Sequence, residues 1–245
     1  MNSGYYAACT GLISRTEALD TIAHNLANTS TVGFRARHNI FSSVLASNGG
    51  DTLSVLNQDV NDFGILSATR VDRLQGALAK TGNDLDLAIE GPGYFSVQTA
   101  AGIAYTRAGN FRVSPESQLT TATGDPVLGE NGPVTLVGTP ISISADGTIS
   151  VKGAVAGKLN IVEFDAATQL QDAQGMYTKA PAGAGKPATR SSVRQGMLEN
   201  SNINPVTSVV ELIEAQREVE TMRRVLTIFN SELDKTASQD LPRIS

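Results

Sequence analysis

The stretch "TIAHNLANTSTVGFRARHN", Thr21 to Asn39, starts as an amphipathic helix, dissolves into Asn, Ser and Thr, and restarts as Gly-Phe-Arg-Ala-Arg-His. Asn, Ser and Thr side chains offer the backbone hydrogen bonds that compete with the helical ladder, so a helix is expected to end in this run. Gly33 then permits a backbone angle that most residues avoid. Such a junction could place His24 and His38 around a metal, offer a basic arm to nucleic acid, or end a helix in a defined way so that it can assemble. The flanking sequence decides among the three.

Upstream, Tyr5, Cys9, Leu12, Thr16, Leu19, Ala23 and Leu26 alternate in steps of four and three, a heptad seam with Thr16 as its weak member. Gly11 inside that segment costs about 1 kcal/mol of helix stability, which points to another backbone passing close by. At the far end Leu212, Ala215, Val219, Met222, Leu226, Phe229 and Leu233 repeat the seam. There Asn204 can cap the helix and Pro205 can take its first position, where a missing N–H costs nothing. Each stripe extends roughly 30 Å. A strict heptad stripe is narrow and suits another helix better than a sheet. The two ends are therefore expected to meet each other, neighbouring subunits, or both.

Between them the period changes to two. "DLDLAIEGPGYFSVQT" is expected to turn at Gly91-Pro92-Gly93, "IAYTRAGNFRVS" near Gly109-Asn110, and "ISISADGTISV" at Asp146-Gly147, each as a hairpin. "GKLNIVEF" adds a strand, "SSVRQGML" returns the chain to the second helix, and "APAGAGKPATR" at 180–190 is expected as a loop. The expected class is α+β. Residues 1–41 plus 199–245 form a discontinuous helical assembly domain, 42–80 an extended connector, and 81–198 a mainly antiparallel β domain.

Composition narrows the function. The chain has 245 residues, 23 of them Gly, no Trp, and a formal net charge of −5, which disfavours a general nucleic-acid role. Arg35, Arg37 and His38 beside Phe34 are too few for such a footprint and read as a solvated joint or a contact to an acidic neighbour. One cysteine, Cys9, excludes an internal disulfide. The N-terminal "MNSGYYAACTGLISRTEALD" lacks the pattern of a secretory signal, and no apolar run is long enough for a membrane span. His24 and His38 carry no metal-ligand spacing. "AGAGK" fails as a phosphate loop, with Ala180 at the first glycine position and Pro187 where Ser or Thr would hold magnesium. Asp84 and Asp86 share strand parity at about 6.5–7 Å, near the separation of a glycosidase pair. Only Tyr94 and Phe95 lie close enough in sequence to form a sugar platform, so a glycan hydrolase is kept as the rival reading. A second rival is a soluble adaptor with a closed two-helix stalk. No cofactor motif survives.

Four ordered motifs carry a resemblance. "NLANTSTVGFRA", through Asn25, Leu26, Ala27, Asn28, Thr31, Gly33, Phe34 and Arg35, resembles the N-terminal signature of the bacterial flagellar rod and hook family. "TGNDLDLAIEGPGYFSVQ" and "YTRAGNFRVSPESQLTTATGDPVLG" are similar to its central β signatures, and "VRQGMLENSNINPVTSVVELIEAQREVE" to its C-terminal one. The resemblance implies a non-enzymatic rod subunit, exported unfolded by the flagellar type III apparatus without a cleaved signal and polymerising in the periplasm. Its partners would be copies of itself and other rod subunits, with no nucleic acid and no membrane insertion. The terminal helices would form the inner tube, and the single β domain would argue against the hook protein. The polar tail "DKTASQDLPRIS" and the 42–80 connector tilt the reading to the proximal rather than the distal rod type. On this reading Phe34 anchors the joint while Arg35 and Arg37 reach neighbours.

Overall fold

The computed structural model describes residues 2–42, 65–173 and 176–240, with side chains over 8–40, 69–173 and 176–231. Most of the expected connector, 43–64, lies outside the described residues, as do the side chains of the seam residues Tyr5 and Leu233. The architecture is α+β, with the N- and C-terminal helices in contact and antiparallel sheets between them in sequence. Two compact units divide the chain: Met1–Leu26, Asn39–Thr69 and Pro205–Ser245 make one, and Ala27–His38 with Arg70–Asn204 make the other.

In the first unit α1 spans Asn2–Ala27 and α2 spans Pro205–Asp240. α1 stops where the Asn/Thr run begins, and α2 starts at the proline that pre-sets its first turn. Arg15 of α1 pairs with Glu218 of α2 at 2.9 Å. These two residues lie at nearly equal remove from the helix ends that lead into the β segment. The buried positions are small: Ala8, Gly11 and Ser14 on α1, and Ser208, Ala215 and Val219 on α2. Arg37–Ser42 and Ile65–Val71 form a two-stranded sheet beside this region of the sequence, and Asn39 accepts from Thr21 at 2.9 Å and donates to the Glu17 carbonyl.

The second unit is built on a six-stranded sheet in the order Gln171–Ala173, Tyr177–Lys179, Gly102–Thr106, Tyr94–Thr99, Ile161–Phe164, Gly185–Pro187. All of its pairings are antiparallel. Successive side chains of a strand face opposite sides. Accordingly Phe95 and Val97 enter the main core with Leu87, Ile89, Phe111, Leu119, Val127 and Ile149. Tyr94 joins Val162, Phe164 and Leu170 in a smaller cluster. Both faces are covered, so Tyr94 to Val97 are all buried and show no polar alternation. Phe95 meets Phe111 edge-on, with centroids 5.0 Å apart. A three-stranded sheet, Ile141–Ile143, Thr148–Val151 and Ala154–Lys158, closes the core from the side of Ile141, Ile149 and Val151.

Two expected hairpins are corrected. Leu87–Glu90 does not fold back on Tyr94–Thr99 across Gly91-Pro92-Gly93; it pairs with Ser192–Gln195. The turn is real, but it passes the chain between sheets, and Gly91 with φ of 114° sits where a Cβ would lie 2.6 Å from the Arg190 carbonyl oxygen. Gly102–Thr106 likewise pairs with Tyr94–Thr99 rather than with Arg112–Val113, which pairs with Leu119–Thr120. The segment near Gly109 is instead a close crossing, with a Cβ at Gly109 placed 1.6 Å from the Leu87 carbonyl oxygen. The third hairpin, through Asp146-Gly147, forms as expected. The expected 180–190 loop contributes an edge strand, Gly185–Pro187, to the six-stranded sheet.

Candidate functional site

The opening motif becomes a knot tied to the segment that precedes α2. Beyond Ala27, Thr31 N–H donates to the Asn28 carbonyl and Phe34 N–H to the Thr31 carbonyl, so the chain turns tightly. Gly33 follows with φ of 67°, and its N–H donates to the Glu199 carbonyl at 2.7 Å. A Cβ there would stand 2.3 Å from the Ala108 nitrogen, so both the angle and the space require glycine. Phe34 is 1% exposed. On its far side Asn202 accepts from Ala36 N–H at 2.8 Å and donates its side-chain amide to the Leu74 carbonyl at 3.1 Å. One asparagine thus ties together the exit from α1, the exit from the connector and the entry to α2.

Beneath this lies a buried ion cluster. Glu199, fully buried, has Arg35 at 2.7 Å and Arg107 at 3.1 Å, and one of its oxygens accepts the Gly76 N–H at 3.0 Å. Arg107 also donates to the carbonyls of Ile89 and Gly91, and its guanidinium lies 4.8 Å from the centroid of the Tyr94 ring. Arg35 donates to the Leu74 carbonyl. Burial and the nearby Arg35 charge pull Arg107 below the usual arginine value, and Glu199 opposes that shift. The chemistry available here is attachment. Four sequence-distant segments, around 35, 76, 107 and 199, are fixed to one carboxylate.

The joint was expected to send Arg35 and Arg37 to neighbours. Arg35 is instead 5% exposed and turned inward on Glu199, and Arg37 reaches Asp172 at 2.6 Å and lies 6.0 Å from the Phe34 ring centroid. Charge complementarity between "GFRAR" and "GMLEN" was the available signal; Arg107 in "YTRAGNF" carried none beyond its place in the motif.

The seam residues are distributed unevenly. Ala215 and Val219 are buried; Cys9, Leu12, Thr16, Leu19, Leu26, Leu212, Met222 and Leu226 are half-buried; Ala23 and Phe229 are exposed. A second stripe was missed: Val206, Val209, Val210 and Ile213, then Val225 and Ile228, stand exposed along α2, with Ile13 exposed on α1. Its helical spacing was present in the sequence, hidden by the polar Gln216–Thr221 interval.

The catalytic alternatives do not gather. Asp84 is exposed in a turn before the strand, whereas Asp86 is buried and accepts from Asn83 at 3.1 Å. His38 is exposed, with Asp72 3.9 Å away. Among the described residues no group of three or more His, Cys, Asp or Glu could hold a metal ion, and no helix is long and apolar enough to cross a membrane.

Comparison with known proteins gives the arrangement its family. Residues 6–35 match the family described as flagella basal body rod protein, 88–151 the flagellar hook protein FlgE/F/G D1 domain, and 194–239 the flagellar basal body rod FlgEFG protein C-terminal family. The flagellar basal-body rod protein FlgF of Caulobacter vibrioides is 32% identical over the full length of both chains. FlgF of Salmonella typhimurium is 35% identical over 84% of this chain and 85% of its own. FlgG of Bacillus subtilis is 30% identical over 94% and 96%. The matched segments hold both terminal helices, the knot and the β core, and the chain belongs to the flagellar basal-body rod family that contains FlgF and FlgG.

Proposed function

We propose that this rod-family structural subunit polymerises through its terminal helices into the helical tube that transmits torque from motor to hook, and that it is the proximal rod protein. The single observation that carries the assembly reading is the exposed apolar stripe of α2 from Val206 to Ile228, left over after α2 has paired with α1. Exposed apolar surface of this kind marks interaction sites. Head-to-tail contacts that do not close generate a helical polymer. The interface then includes Tyr5, Cys9, Leu12, Leu19, Ala23 and Leu26 of α1 and the stripe from Leu212 to Leu233 of α2, reinforced by Val210, Ile213 and Ile228. The buried cluster around Glu199 fixes the segments that follow α1 and precede α2 within the β unit. Family membership supports export through the flagellar type III route and assembly in the periplasm.

FlgF and FlgG relatives both match over most of the chain, and the polar tail after Leu233 and the 42–80 connector favour the proximal position. The distal rod is the alternative position. Leu19→Asp combined with Leu226→Asp tests assembly: the variant should be missing from basal bodies while its β unit retains native circular dichroism and protease resistance. Normal rods built from it would refute the proposal. Gold labelling of the chain in isolated basal bodies tests position, with label expected on the motor side of the rod; label confined to the hook side would assign the distal position instead.

A further inference from the structure

The ion cluster is unbalanced. Arg35 and Arg107, with side chains 4% and 2% exposed, face one carboxylate, Glu199, at 0%. Arginine does not shed its proton to relieve such an excess, and a buried charge without compensation is costly. The nearby Arg37 pairs with Asp172, so among the described residues Arg35, Arg107 and Glu199 carry one positive charge in excess.

Several donors in this cluster are unspent. The Nε atoms of Arg35 and Arg107 have no hydrogen-bond acceptor among the described residues. Arg35 Nη2 stands 2.7 Å from Glu199 Oε1 without the alignment of a hydrogen bond. Both arginines line a cavity of about 10 Å³ whose other walls include Gly33, Tyr94, Asp172 and Thr178. A space of this size holds one water-sized occupant. The carbonyls of Leu74, Ile89 and Gly91 take up other guanidinium N–H groups but carry no net charge.

We propose that the cavity between Arg35 and Arg107 is a binding site for a small monovalent anion of the halide class, chloride in the cell. Two guanidinium groups supply the donors, the anion supplies the missing negative charge, and Tyr94 and Gly33 limit the size. A space of this size favours a monatomic anion over a polyatomic oxyanion. Asp172 on the rim opposes the anion and sets its affinity to a modest value. The ligand would complete the fixing of the segments around Arg35, Arg107 and Glu199 to one another.

The test uses the full chain at constant ionic strength while sodium gluconate is exchanged for sodium chloride. The melting temperature should rise with chloride and saturate, and the 35Cl resonance should broaden in proportion to protein and narrow again when bromide is added. Asp172→Asn, a change at a partly exposed side chain, removes the opposing charge and should shift the saturation midpoint to severalfold lower chloride. Arg107→Gln, which neutralises the excess, should abolish the chloride response. Superimposable melting curves in the two salts with no excess 35Cl broadening would overturn the site and leave a water as its occupant. An unchanged or weaker chloride response in Asp172→Asn would overturn it as well, independently of whether the arginine variant folds.

Discussion

The β unit and the helix pair handle their apolar residues in opposite ways. In the β unit Leu87, Ile89, Phe95, Val97, Leu119, Val127 and Ile149 are all fully buried, and the six-stranded sheet is covered on both faces. On α2, Val206 is 73% exposed, Ile228 56% and Phe229 45%, while the deepest contacts are made by Ala215, Val219 and Ser208. The first region satisfies its own sequence within one chain. The second uses small residues to bring two helices together and leaves larger ones outside. Buried apolar surface is therefore concentrated in one unit and exposed apolar surface in the other, and the two should respond to mutation in opposite senses.

The largest expected effect on the isolated chain is in the β core. Phe95→Ala removes a fully buried ring packed edge-on against Phe111 and should cost about 3–5 kcal/mol in a denaturant titration of the β unit. Glu199→Ala should rival it. The substitution strands two buried guanidiniums, a class of change that costs about 3–5 kcal/mol. Its signature should extend further: protection from hydrogen exchange should fall in the first turn of α2 and the last of α1, because Gly33, Gly76 and Arg35 all hang on residue 199. Loss of stability without helix-root exposure would separate the ion cluster from the helices and weaken the comparison.

Gly33→Ala comes next. The left-handed angle alone costs about 1–2 kcal/mol, and the added Cβ meets the backbone at Ala108, which cannot move without disturbing Arg107. A shift in the denaturation midpoint of less than half a kcal/mol would mean that the knot relaxes freely.

A smaller effect is expected from acid. Burial pushes the Glu163 carboxyl upward, but Ser191, the backbone and side chain of Arg190, and Thr189 N–H all donate to it and hold it below its ordinary value of 4.5. A depressed carboxyl stabilises the fold above its unfolded value, and that contribution is lost as pH falls from about 4.5 through the lower folded value. Glu163→Gln should therefore be less stable than wild type at pH 7 and should lose less on acidification below 4.5. Parallel stability curves for the two proteins would remove Glu163 from the account.

The sequence was legible where a local rule acts alone. Heptad spacing gave both helices, Pro205 placed the start of α2, the Asn/Thr run placed the end of α1, and Asp146-Gly147 gave a true hairpin. It misled where local turn chemistry met long-range pairing. Gly91-Pro92-Gly93 is a turn on any reading, but whether it joins partners or passes between sheets depends on Ser192–Gln195, more than a hundred positions away. The knot was visible as a motif and its ion cluster was not, since nothing local in "GFRAR" says that Arg35 turns inward to a glutamate near the opposite end of the chain. The exposed stripe of α2 is obscured in the sequence by the better-spaced seam on the same helix.

That second stripe yields the smallest stability effect and the sharpest test of the comparison. Val210 and Ile228 are 51% and 56% exposed. Lysine is a better helix former than valine or isoleucine, so Val210→Lys with Ile228→Lys should move monomer stability by no more than about 0.5 kcal/mol per site. In the polymer the same lysines would lie within a helix–helix contact, where a charge without a partner is expensive. The expected outcome is a monomer with unchanged melting and unchanged β-unit protection that fails to enter basal bodies and leaves cells non-motile. If the double variant assembles normally, the stripe faces solvent in the rod and the opposition between the two units is lost. If instead the monomer melts well below wild type, the stripe is already covered within the free chain, and the helix pair is a closed stalk like the β unit rather than its opposite.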